Sequence, residues 1–155
     1  MTQEDKQLLL TDLCARLAYG VLCEDMEGKM RPLFGITPTQ HFIVTLDNAT
    51  DGTNGLKFCT IDCVKPYLRP MSSMTKEETK ELFKEIGFEF TCNTCGIPAH
   101  YNYEFAKQIK GIPTIANVEF IKVIDWLNKK MFDYRGLIEK GLAIAVTKEN
   151  NHYKE

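Results

Sequence analysis

A single small α+β domain, with a short antiparallel or mixed sheet covered by two to four helices, is the fold class this sequence predicts. Three observations carry that reading. Apolar residues recur at helical spacing at the start of the chain and again after residues 75 and 117. Between the first two of these stretches lie short β-rich runs punctuated by Gly, Asn and Asp. A length of 155 residues, 44% of them apolar and 26% charged, suits one domain with a buried core and excludes collagen-like or wholly disordered chains. No repeat and no Pro/Ser linker marks a boundary, so residues 1–155 read as one domain.

The first helix is expected over residues 2–17. Glu4 and Asp5 complement the positive end of its dipole, and Leu10, Leu13, Cys14 and Leu17 form its apolar stripe. Strands are expected at 19–23, 30–36, 41–46 and 56–61, with the turn-rich DNATDGTNG as a hairpin loop. That loop lacks the glutamate a calcium loop needs at its twelfth position. Pro66 and Pro70 in KPYLRPMSSM signal a break. Thr75 and Glu78 then form a capping box for a helix striped by Thr79, Leu82, Phe83 and Ile86 and stopped by Gly87. A short strand over 88–91 and a brief helix from Asn102 to Gly111 follow. The most strongly patterned helix is capped by Asn117 and buries Phe120, Val123, Ile124, Leu127 and Met131. Trp126 beside that face reads as a core or edge aromatic. A last strand is expected over 142–146, and the polar residues 147–155 as a frayed tail.

Nineteen basic and 21 acidic residues give a net charge of −2, which argues against general nucleic-acid binding while leaving room for a local anion pocket. The N-terminal MTQEDKQLLL lacks the basic start and long apolar run of a secretory signal, and no run reaches the roughly 18–20 apolar residues of a membrane span. A cytoplasmic, reducing setting is the expectation, with no membrane partner and no disulfide among the six cysteines. Cys14 and Cys23 read as small core residues. An extended CTIDC would hold Cys59 and Cys63 roughly 13 Å apart, too far to share a metal unless a turn intervenes. Cys92 and Cys95 in FTCNTCGIPAH, with Gly96 following, have the shape of a zinc knuckle, and His100 is a third candidate ligand. Plain packing or a turn is the competing reading. Otherwise no cofactor is expected.

No nucleophile, zinc-protease, P-loop or dinucleotide motif occurs, and the chain reads as non-enzymatic. The constellation most suggestive of a ligand is YLRPMSSMT. Arg69 offers a bidentate fork for an anion, Ser72, Ser73 and Thr75 offer hydroxyls before a helix start, and Tyr67 could stack on a base. Tyr134 and Arg135 in DYRG repeat the aromatic–arginine pairing. The alternative gives Thr75 to the helix cap, the serines to the turn and the arginines to neighbouring acids.

The phrases DKQLLLTDLCARLAYGV, PYLRPMSSMT and IDWLNKKMFDYRGLIEKGLAI resemble a family of small proteins from gut Bacteroides-type bacteria and their phages, with Ala18 standing where family members have proline. The resemblance covers the first twenty or so residues, the central loop and the last thirty or so. It implies a phage or mobile-element origin and no particular reaction. Three functions follow as expectations: an accessory protein that binds a host protein, an anti-defence protein that sequesters a small phosphorylated nucleotide signal, and a zinc-stabilised module. The oligomeric state stays open.

Overall fold

The computed structural model of the protein describes residues 1–37, 42–48, 54–85 and 117–153. The fold is α+β, and the chain groups into two compact units, Met1–Leu68 with Arg135–Glu155, and Arg69–Tyr134. Cys92, Cys95 and His100 lie outside the described residues. So do the strand expected over 88–91, the helix expected from Asn102 to Gly111, and the expected stop at Gly87.

The first unit opens with α1, Gln3–Arg16. Thr2 caps it through a reciprocal box: the Asp5 amide donates to Thr2 Oγ1 at 3.1 Å, and the Thr2 amide to Asp5 Oδ2 at 3.3 Å. The face turned inward is Leu9, Asp12, Leu13 and Arg16, which corrects the expected stripe; Cys14 is exposed. What shifts the face is a wholly buried ion pair one turn apart. Arg16 Nε donates to Asp12 Oδ2 at 2.7 Å and Nη2 to Oδ1 at 3.0 Å, with both side chains fully enclosed. The two hydrogen bonds of this pair offset part of the cost of desolvating both charges at positions an apolar stripe would otherwise fill.

Six strands make one sheet: β1 Leu22–Glu24, β2 Met30–Thr37, β3 Phe42–Asn48, β4 Asn54–Thr60, β5 Lys65–Leu68 and β6 Ile144–Ala145, in the order β4-β3-β2-β1-β5-β6. All neighbours are antiparallel except β5 and β6, so the sheet is mixed. Strand β5 runs through Pro66, where a break is expected from sequence. Pro66 pairs with Cys23 of β1, and β6 joins only at Tyr67 and Leu68, so no neighbour needs the missing N–H. Leu9, Leu13, Val21, Cys23, Leu33, Cys59, Ile61, Val64, Leu68 and Leu137 are buried in this unit. The tail, frayed by its composition, is tied down at Tyr153: its hydroxyl accepts from the Leu22 amide and donates to the Tyr67 carbonyl, each at 2.9 Å.

The second unit holds α2, Lys76–Glu85, and α3, Asn117–Lys129. Its core is Leu82, Val123, Trp126, Leu127 and Phe132, with Met71, Met74, Phe83 and Tyr134 packed against it. The Trp126 and Phe132 rings stack with centroids 5.8 Å apart. Ile124 is only partly covered and Phe120 is exposed, so the inward face of α3 is narrower than its apolar pattern suggests. Met131 takes a left-handed φ of 58°, and the Phe132 amide then closes the helix on the Leu127 carbonyl at 2.9 Å. Among the described residues no helix is long and apolar enough to cross a membrane.

Candidate functional site

The residues singled out around YLRPMSSMT are all placed. In the second unit, the Arg69 amide donates to the Met131 carbonyl and the Asp133 amide to the Arg69 carbonyl, both at 2.8 Å. This backbone clamp aims the Arg69 guanidinium at the start of α2. Nη1 donates to Glu78 Oε1 at 2.6 Å and Nη2 to Oε2 at 2.9 Å, and the guanidinium lies 4.3 Å over the Phe132 ring. The same carboxylate completes the capping box. It accepts from the Thr75 amide at 2.9 Å while the Glu78 amide donates to Thr75 Oγ1 at 3.1 Å. Burial pushes the Glu78 carboxyl up, but the Arg69 hydrogen bonds, the Thr75 amide and the arginine charge hold it below its ordinary value.

Arg69 and Thr75 therefore converge on Glu78. Ser73 Oγ donates to the Pro70 carbonyl at 2.7 Å and shapes the turn Met71–Ser73, beside an exposed Ser72. Tyr134 donates to the buried Asn128 side chain at 3.1 Å. Tyr67 and Arg135 belong to the first unit. The Tyr67 hydroxyl donates to Glu24 Oε2 at 3.0 Å, and Arg135 Nε stands 3.3 Å from Asp12 Oδ1. Burial, then the Glu24 hydrogen bond and charge, raise the Tyr67 phenol above its ordinary value. A phosphate at Arg69 would have to displace a bidentate carboxylate that also caps a helix.

The cysteines of CTIDC meet a turn after all: β4 ends at Thr60, and Ile61–Cys63 form a single 3-10 turn. Cys59 is buried, and Cys63 Sγ lies 3.0 Å from Thr60 Oγ1. Among the described residues no group of three or more His, Cys, Asp or Glu could hold a metal ion.

A different surface emerges from the sheet. Phe34 of β2 is 58% exposed and Phe58 of β4 is 64% exposed. Val44 of β3 pairs with Gly35 on one side and Phe58 on the other, and the irregular register between Leu33 and Gly35 inserts Phe34 as an extra residue. The two phenylalanines thus stand about two strand spacings, or roughly 10 Å, apart across the meander. Space where a Gly35 side chain would stand is open, with no atom within 4 Å. Strand β4 is the sheet's edge, with no further strand beside it among the described residues. Sequence reasoning passed over this pair. The usable signal is the alternation in LKFCT: only one of the neighbours Phe58 and Cys59 can face the core, and Cys59 does.

No family model, curated protein or solved structure matches this chain.

Proposed function

We propose that the protein is a non-enzymatic interaction protein, an accessory factor of a phage or mobile element, that binds a host protein through the meander β2–β3–β4. The observation that supports this reading is the pair Phe34 and Phe58, each more than half exposed on the β2–β3–β4 meander, whose strand β4 has no further strand beside it among the described residues. Leaving two aromatic side chains in water forgoes the roughly 1.5–3 kcal/mol that burying each would contribute. Exposed aromatic side chains on neighbouring strands are the kind of anchor that docking sites use. An edge strand adds backbone donors and acceptors that a partner's extended segment can pair with. The phage setting rests on the sequence resemblance of the opening, central and closing phrases. The phosphate-ligand alternative has less support, because both Nη atoms of Arg69 are bonded to Glu78.

The test is quantitative affinity capture from lysate of a Bacteroides-type host with the wild-type chain and with Phe34→Ser/Phe58→Ser. A specific protein retained by the wild type and lost by the double variant, whose circular dichroism is unchanged, is the expected result. Identical retention by both proteins, or retention of nothing, removes this reading.

A further inference from the structure

The seam between β1 and β5 is paired at Cys23↔Pro66 and Glu24↔Lys65. At the next position, Leu22 opposite Tyr67, a phenol hydroxyl stands between the strands. Tyr153 accepts from the Leu22 N–H and donates to the Tyr67 carbonyl, both at 2.9 Å. Neither strand depends on that hydroxyl for its place. Leu22 is paired on its other side with Pro32 of β2, and Tyr67 with Ile144 of β6. The Tyr67 side chain ties the seam once more through Glu24 Oε2. The slot is thus shaped by the sheet and filled by the tail.

Its chemistry is selective. One wall offers a donor and the other an acceptor, so the occupant must both accept and donate, which a hydroxyl does at a single oxygen. A phenol does so; a carboxylate cannot donate and a plain aryl ring does neither. Burial also favours the neutral hydroxyl, and the Tyr153 phenol is raised above its ordinary value for that reason. The occupant is held at a single residue of the tail tip. Val146 and Asn150 anchor the base of the tail, to the Leu68 and Ala145 carbonyls. Beyond Asn150, among the described residues, the tail meets the sheet through Tyr153, by its two hydroxyl bonds and the burial of its side chain. Asn151 and His152 are exposed, and the Tyr153 amide turns back to Asn151 Oδ1. Local opening of such a tip requires far less than global unfolding.

We propose that the slot between Leu22 and Tyr67 is a binding site for a para-substituted phenol, occupied by the chain's own Tyr153 and open to an outside phenol when the tail tip lifts. The outside group is either a tyrosine side chain or a small phenol. This site is independent of the Phe34/Phe58 surface.

The experiment uses full-length Tyr153→Ala, checked for folding by circular dichroism, with three probes in calorimetry: 4-methylphenol, toluene and the tetrapeptide Asn-Asn-His-Tyr. Saturable one-to-one binding of 4-methylphenol, about five- to tenfold tighter than toluene, is expected from the hydroxyl bonds. The wild type should bind more weakly, because its own tail competes. Tighter binding of the peptide than of 4-methylphenol supports the site with a polypeptide source; equal or weaker peptide binding supports it with a small phenol. A folded variant that binds neither phenolic probe, or binds toluene as tightly as 4-methylphenol, overturns the proposal. Should Tyr153→Ala fail to fold, the wild type is digested with chymotrypsin at Tyr153, the residue that must leave the slot. At least a doubling of the cleavage rate by 4-methylphenol is expected, and an unchanged rate overturns the proposal.

Discussion

Arg69→Ala separates the structural role of the arginine from a ligand-binding one. The substitution removes two charge-assisted hydrogen bonds, of 2.6 and 2.9 Å, to a carboxylate that is 13% exposed, and it uncovers the Phe132 ring. Hydrogen bonds to charged groups contribute about 1.5–3 kcal/mol each, and leaving a mostly buried carboxylate without its cation adds to the loss. Two effects reduce the sum: Glu78 keeps the Thr75 amide, and Arg69 is 21% exposed, so water can partly replace the lost contacts. A net loss of about 2–4 kcal/mol follows, or a fall in Tm of roughly 5–12 °C for a chain of this size. Urea and thermal unfolding at pH 7 measure it. The pH dependence has a definite sign. Because the folded state holds the Glu78 carboxyl below its ordinary value, its contribution is present above the unfolded value near 4.5 and is lost as pH falls through the lower folded value. The gap between wild type and variant should therefore narrow below about pH 4. A loss under about 0.5 kcal/mol, together with abolished binding of a nucleotide that the wild type binds in calorimetry, refutes this reasoning and assigns Arg69 to a ligand.

Two further outcomes follow from the packing. Leu127→Ala should cost about 2–5 kcal/mol in urea unfolding, since Leu127 is enclosed by Leu82, Val123, Trp126 and Phe132, while Ile124→Ala on the partly covered side should cost clearly less. Alkylation of the folded protein should label the exposed Cys14 quickly and spare Cys23 and Cys59 until denaturant is added, as mass spectrometry of the digested protein would show; burial raises the Cys23 thiol well above its ordinary value and removes its reactive thiolate.

What could be read from the sequence was local. The Thr75–Glu78 box, the starts of the described helices, and the meander strands to within two residues all depend on groups a few positions apart, whose chemistry is visible in a linear text. The inward face of α1 was hidden because Asp12 and Arg16 look like solvated charges until Arg135, from far along the chain, is brought to 3.3 Å of the same carboxylate. Strand β5 was hidden because a proline tolerated beside a single neighbour looks the same, in sequence, as one that breaks a strand. Tyr153 is the extreme case. Its partners, Leu22 and Tyr67, are 131 and 86 residues away, and nothing near it in the chain departs from an ordinary polar tail. At Arg69 the same limit works in reverse: bidentate geometry toward an anion is a real property of the side chain, and the anion it meets within the fold is Glu78, nine residues on. Residue type specified the chemistry of each contact, and only the fold specified the partner.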